Sequence, residues 1–427
     1  MTPLSRFSSA VLILGTVTCP VRAHAAVRQQ PYSLPSICRN RSHTVLRVLA
    51  GLSALLLATV ALQAPAFAAP FLGVMADGPL SDGTVNFEHQ ARLMAREGVQ
   101  TVRAVFYWPQ AQPFGPSAQT PPGFEDVDGV PTNYDASDKV VAACALHGLE
   151  VLPVVVQAPI WARVDPGKEW SPPADPEAYA SYVASVARRY GPNGSFWASH
   201  PDLPRTPIRF WQIWNEPAGG DRPNDPSIFW DDPAPFQERY ILMLRATKKA
   251  VTSVDPQAKI VVGGLFGRSW ESLQTLYDHG ARGLFDVVAI HPYAQTPAQS
   301  VRVARMVRRV MRQHGDGAVP LFVTELGWPS SVGKVSTTYP IATTESGQAE
   351  RLLGAFRLFH EARRQLRLER VYWYTWIGRD SSTTSAFDYS GLLHLWPTGA
   401  IIAKPAFEAF RRVAHWLAGG GRTGQAP

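Results

Sequence analysis

The chain has 427 residues, 45% of them hydrophobic and 11% aromatic, enough apolar material to bury one large core or two ordinary ones, so a globular protein is expected. A formal net charge of +7 would suit an anionic partner, but Arg6, Arg22, Arg28, Arg39, Arg41 and Arg47 all precede residue 69, where no acidic residue occurs. Without those six, 35 basic residues face 34 acidic ones, so the body carries a net of +1 and nothing in it argues for nucleic acid.

The first 68 residues read as a leader. Arg39, Arg41 and Arg47 flank the start of an apolar stretch from Val45 to Leu62, and Ala66-Phe67-Ala68 supplies a small-residue cleavage site. This predicts a signal peptide over about 39–68, a secreted protein and no stable membrane insertion after cleavage. A retained anchor is the alternative, because the run approaches the ~17 residues that a span needs. A second apolar run, Val11 to Val17, lies further upstream than a signal peptide normally tolerates and points to a true start codon near residues 39 to 47. Cys19 and Cys38 fall in the leader, so the mature chain keeps only Cys144, without an internal disulfide. Cys144 sits among Val140, Val141, Ala142, Ala143 and Leu146 and reads as a buried helical thiol.

From Phe71 onward, short β-rich apolar runs alternate with amphipathic helical stretches, eight times over. Strands are expected at 71–76, 101–107, 150–156, 209–214, 259–264, 285–290, 320–324 and 370–375. Helices are expected at about 87–97, 136–147, 175–190, 235–253, 269–280, 297–314, 345–366 and 403–417. Pro176, Pro235 and Pro297 suit first helical turns, and Gly148, Gly191 and Gly315 suit helix ends. Eight alternating units predict an α/β fold, a single (β/α)8 barrel over 69–420, followed by a disordered tail at 421–427. Long βα loops at 108–135, 157–174, 191–208 and 217–234 belong to the C-terminal face, where loops of that length usually carry function.

Cleaving a glycosidic bond with retention needs one carboxylic acid to protonate the leaving oxygen and a second carboxylate to attack the anomeric carbon, about 5–5.5 Å away. Glu216 closes the fourth strand in Phe210-Trp211-Gln212-Ile213-Trp214-Asn215-Glu216-Pro217, and Glu325 closes the seventh in Leu321-Phe322-Val323-Thr324-Glu325-Leu326-Gly327-Trp328. Both stand where a residue facing the barrel mouth belongs.

In these motifs the sequence resembles glycoside hydrolase clan A, whose members place the acid/base after strand four in Asn-Glu-Pro and the nucleophile after strand seven. The resemblance implies Glu216 as acid/base and Glu325 as nucleophile. It also implies that Arg103 pairs with Glu325, that Asn215 contacts the sugar 2-hydroxyl, and that His291 and Tyr293 line the subsite with the tyrosine hydroxyl near Glu325. Trp376 would be the platform under the sugar. Barrel-mouth packing is the competing reading for Arg103, His291 and Tyr293. The loop Gln157-Ala158-Pro159-Ile160-Trp161-Ala162 departs from family 5 of this clan, many members of which carry a histidine there, and looks more like family 39. Gln157 then either replaces that histidine as a wall residue or caps the strand, and Trp161 joins the substrate-binding set.

Trp108, Trp161, Trp170, Trp214, Trp328 and Trp396 fall at strand ends or in βα loops, and indole faces suit the apolar faces of pyranose rings; about half are expected to touch ligand. There is no HExxH, no GxGxxG opening a helix after a strand, no GxSxG and no cluster of cysteine ligands, so neither a metal nor another cofactor is expected. The partner is then an oligo- or polysaccharide. Transglycosylation by the same residues and a secreted, non-catalytic carbohydrate-binding barrel are the alternatives. Sugar identity, linkage, exo or endo action and oligomeric state are not written in these motifs.

Overall fold

A computed structural model describes residues 70–421, apart from 221, 223–226 and 337–338. The leader with its Ala66-Phe67-Ala68 site, and the tail from residue 422, lie outside the described residues. Gly421 is described, and its N–H donates to the Trp416 carbonyl.

Eight parallel strands form the sheet: β1 (Leu72–Ala76), β2 (Thr101–Tyr107), β3 (Glu150–Val156), β4 (Phe210–Ile213), β5 (Lys259–Val262), β6 (Val288–His291), β7 (Leu321–Leu326) and β8 (Leu368–Trp373). Each is followed by a helix: α1 (Phe87–Arg96), α2 (Asp135–Leu146), α3 (Pro176–Tyr190), α4 (Phe236–Val254), α5 (Ser269–Asp278), α6 (Pro297–Gln313), α7 (Glu345–Leu366) and α8 (Pro405–Ala418). The hydrogen-bonded order runs β5-β4-β3-β2-β1-β8-β7-β6. The ring closes where Val261 bridges Val287 and where Leu265-Phe266, a short extension beyond β5, pairs with Ile290-His291 of β6. The architecture is the (β/α)8 barrel that the eightfold alternation predicts.

Side chains alternate between lumen and helix layer along each strand. Leu152, Val261, Val287, Ala289, Phe322 and Tyr372 fill the lumen as one dry cluster. Gly73 makes room for Tyr372: a Cβ there would stand 2.4 Å from its ring. The outward residues join the helices in a much larger core that takes in Cys144, whose thiol burial pushes well above the usual range. Pro176 and Pro297 open α3 and α6 as expected, whereas Pro235 stands just before α4.

Three short strands, Ile377–Gly378, Leu393–Leu395 and Ile401–Ala403, form a separate small sheet between β8 and α8. The alternation in the sequence marks no strand in this stretch. Its strands are two or three residues long, too short for alternation to mark them.

Candidate active site

The site is assembled at the C-terminal ends of β4, β6 and β7, and Arg103 reaches it from the body of β2. At β4 the chain leaves the sheet through Trp214 (φ 64°) and Glu216 (φ 44°), both in the left-handed region, with Asn215 between them. A non-glycine residue there costs about 1–3 kcal/mol, a strain that persists only where surrounding contacts hold it. Here Trp214 N–H donates to the Val155 carbonyl and its indole to the Phe229 carbonyl, while Ser227 Oγ donates to the Glu216 carbonyl at 2.6 Å.

At β7 a bulge does the aiming. Val323 pairs with Val371 and Leu326 with Trp373, so three steps on β7 match two on β8. Phe322 points into the lumen, and simple alternation would send Thr324 inward and Glu325 outward. The extra residue lets both face the mouth, the way bulges re-aim side chains next to active sites. Gly264 completes the pocket: a Cβ there would lie 2.0 Å from His291 Nε2, so only glycine lets the ring stand where it does.

Arg103 Nη1 donates to Glu325 Oε1 at 2.6 Å, its Nε to Gln212 Oε1 at 2.9 Å and its Nη2 to Asn215 Oδ1 at 2.7 Å. The hydroxyl of Tyr293 donates to Glu325 Oε2 at 2.9 Å. His291 places Nδ1 2.6 Å from Glu216 Oε1 and Nε2 3.0 Å from Thr324 Oγ1. Glu216 and Glu325 are 6% and 8% exposed, and one ligand oxygen of each lies within 4.8 Å of the other and of His291.

The electrostatics separate the two carboxyls. Burial, and then the negative charge of Glu325, hold Glu216 well above the ordinary carboxylate range, and Arg103 offsets only part of this. Burial also raises Glu325, but Arg103 and the Tyr293 hydroxyl pull it back. Burial, aided by Arg103, keeps His291 neutral. A neutral imidazole carries one N–H, so His291 bridges Glu216 Oε1 and Thr324 Oγ1, donating to one of them and accepting from the other or from none. The two carboxyls therefore differ: Glu216 is held the more strongly in its protonated form, and Glu325 is drawn towards ionisation by Arg103 and Tyr293. Glu216, His291 and Glu325 are also the group whose ligand atoms could converge on a cation. Both oxygens of Glu325 are already engaged, by Arg103 and Tyr293, and Arg103 already supplies positive charge.

Arg103, Asn215, Glu216, His291, Tyr293 and Glu325 are thus brought together. Trp376 is not. It was expected to end the eighth strand as a sugar platform, but β8 stops at Trp373, and Trp376 is fully buried outside the barrel. Its ring packs edge-on to Phe407 and Phe410 of α8, and its indole N–H donates to Gln90 of α1 at 3.0 Å. Gln157 spends its amide on Glu169, and half-buried Trp161 gives its N–H to the Gln112 carbonyl; among the described residues neither bonds the carboxyl pair. Trp108, Trp214 and Trp328 are fully buried, while Trp161 and Trp170 are half-buried and Trp396 is exposed.

The aromatic wall beside Glu325 is instead built from Tyr374 and Phe387. Tyr374 donates its hydroxyl to Asp77 at 2.9 Å, and Phe387 packs edge-on to both Tyr293 and Tyr374. Alternation from lumen-facing Tyr372 could have singled out Tyr374. Gln212 and Thr324 were missed too, although Gln212 lies two residues before Trp214 on a strand the sequence identified.

No protein-family model matches the chain, and no curated protein matches it. Solved structures do. One is a family 39 glycoside hydrolase from Bacteroides cellulosilyticus WH2, with a TM-score of 0.58 at 19% identity over 82% of this chain. Others are the GH39 enzyme from Xanthomonas axonopodis pv. citri, with 0.57 at 17% over 81%, and a monomeric beta-xylosidase from Caulobacter crescentus CB15, with 0.56 at 17% over 81%. The chain spans 64%, 67% and 69% of those three chains respectively. At these identities the likeness is one of fold, and the fold it supports is the closed (β/α)8 barrel described above.

Proposed function

We propose that this protein is a secreted retaining glycoside hydrolase that cleaves β-linked oligo- or polysaccharide, with Glu216 as acid/base and Glu325 as nucleophile. One observation carries the reading: Glu216 just beyond β4 and Glu325 in β7, with different electrostatic environments, bring one carboxyl oxygen of each within 4.8 Å of the other at the barrel mouth. An approach this close favours double displacement, because an inverting pair stands ~6.5–9.5 Å apart to admit a water. The solved family 39 glycoside hydrolase shares the fold, which agrees with this reading.

In the first step Glu325 attacks the anomeric carbon and forms an ester. The bond to the leaving oxygen breaks, and that oxygen takes the proton of Glu216. In the second step water attacks the same carbon, gives its proton to Glu216 and releases Glu325 as a carboxylate. Arg103 and Tyr293 hold Glu325 in line and ionised. Neutral His291 can donate its Nδ1–H to Oε1 of Glu216, which leaves the acid proton on the other oxygen for the leaving group and steadies the carboxylate once it is base. Asn215 is oriented by Arg103 through its carbonyl oxygen, so its amide N–H groups face away from the guanidinium and serve a substrate hydroxyl.

Proton magnetic resonance of early products tests the reading, and retention at the anomeric carbon is expected. With azide, Glu216→Ala should yield a β-glycosyl azide and Glu325→Ala the α-product, since the anion enters from the face each side chain vacated. Inverted early products from the native protein would remove Glu325 from the nucleophile role.

A further inference from the structure

Away from the carboxyl pair, an exposed tryptophan stands over a large cavity. The turn Trp396-Pro397-Thr398-Gly399 closes the hairpin between Leu393–Leu395 and Ile401–Ala403. Trp396 N–H donates to the Ala400 carbonyl and Gly399 N–H to the Trp396 carbonyl, each at 2.8 Å, with Gly399 at φ 85°. Trp396 nevertheless stays 47% exposed, its ring stacked on His394 at 4.8 Å and 13°. A fixed backbone and a stacked neighbour leave little freedom to lose when a ligand covers the free face of the indole.

That ring walls a cavity of about 910 Å³ against α1 and the start of α8, in the volume range of small-molecule sites. Its full charges are Arg96 and Arg379, and each is already paired, Arg96 with Glu97 at 2.9 Å and Arg379 with Asp82. Among the described residues no acidic side chain lines it, while Asn86, His89 and Ser381 add hydrogen-bonding groups. An indole face, scattered polar groups and neutralised charges suit an uncharged polyol better than an anion.

The cavity also leads somewhere. Arg379 and Ser381 also line a second cavity, of about 410 Å³, whose lining includes Asp77, Tyr374 and Phe387. Tyr374 and Phe387 are the aromatic wall beside Tyr293 and Glu325. The two cavities are therefore neighbours across Arg379 and Ser381, and the second lies against the aromatic wall of the catalytic mouth.

We infer that Trp396 is a distal subsite for a neutral glycan chain whose other end lies across Glu216 and Glu325, so that the substrate is a polysaccharide rather than a disaccharide. The inference rests on the glycosidase reading and deepens it.

The test uses the full mature protein with Trp396→Ala and Trp396→Phe. Binding is read by affinity electrophoresis through gels holding neutral xylan, β-glucan, galactan or mannan, with anionic polygalacturonate as the contrast. Activity is read on p-nitrophenyl β-glycosides and on the same polymers. At least one neutral polymer should retard the native protein. Trp396→Ala should weaken that binding roughly five- to tenfold and lower kcat/KM on the polymer, Trp396→Phe should restore most of both, and rates on the aryl glycosides should not change. Equal retardation of Trp396→Ala and native protein, no retardation by any neutral polymer, or retardation by polygalacturonate alone would each overturn the inference. Retardation that depends on Trp396 without hydrolysis of any substrate would uphold the subsite and refute the hydrolase reading.

Discussion

Two arginine–glutamate pairs sit at opposite ends of the same barrel, and their distances barely differ: 2.6 Å for Arg103–Glu325 at the mouth and 2.7 Å for Arg370–Glu150 at the floor. Their surroundings differ in every respect that matters. Arg370 lies 4.5 Å from the Phe210 ring centroid and 5.2 Å from that of Phe322, and the Glu150 side chain is 44% exposed, so water carries much of its charge. Arg103 and Glu325 are both buried, and a second buried carboxyl, Glu216, stands beside them with no arginine or lysine paired to it among the described residues. The floor pair plugs the lumen. The mouth pair holds an electrostatic imbalance that packing alone would not retain, and such imbalances gather where protons and charge must move.

Exchanging the carboxylates should separate the two ends most sharply. Glu325→Gln should lower kcat by about 10⁴-fold or more, as expected when a nucleophile is removed, whereas Glu150→Gln should leave kcat within about twofold. Comparable losses from both would mean that the mouth pair is structural like the floor pair.

Removing the arginines comes next. Arg103→Met should reduce kcat/KM by about 10²–10³-fold, the range for loss of one fixed charge partner in a dry site. It should also move the acidic limb of the pH profile upward, because Glu325 must be ionised to react and Arg103 is what lowers it against burial. Arg370→Met should leave the profile in place and cost about 1–2 kcal/mol in urea unfolding, less than a fully buried pair because Glu150 stays partly in water.

The same comparison explains what was legible in the sequence. Strands and helices lie within three residues of their expected bounds, because alternation and helical periodicity record burial directly. Glu216 and Glu325 were legible because they close strands with distinctive neighbours, whereas Arg103, inside β2, was legible only through the family resemblance. Trp376 was misplaced because a tripeptide exit, Tyr374-Thr375-Trp376, reads the same whether the chain continues straight or turns outward at Trp373. The bulge that aims Glu325 has no residue signature, since it exists only in the register between β7 and β8. Phe387 belongs to a short helical turn, Ala386–Tyr389, that local pattern does not announce.

The corrected place of Trp376 gives the third test. Trp376→Ala should lower stability by about 3–5 kcal/mol, the cost of emptying a large buried site, while kcat/KM measured well below the melting temperature should change less than twofold. A large kinetic loss with unchanged melting would return Trp376 to the sugar.

The smallest effect concerns Glu216 and the pH dependence of folding. Its folded-state pKa is raised, first by burial and then by Glu325. In the unfolded chain the same group ionises near pH 4.5. Below that pH both states carry the proton and Glu216 costs nothing extra. As pH rises through the window between the two values, the unfolded chain releases its proton while the folded site resists, so the native protein loses stability relative to a variant that cannot ionise. Glu216→Gln keeps the shape and removes the titration. Its melting temperature should match the native value near pH 4 and exceed it by a margin that grows towards pH 8, and the basic limb of the activity profile should vanish with it. A margin constant across that range would mean that Glu216 titrates as an ordinary exposed carboxylate, and the acid at this barrel mouth would have to be sought elsewhere.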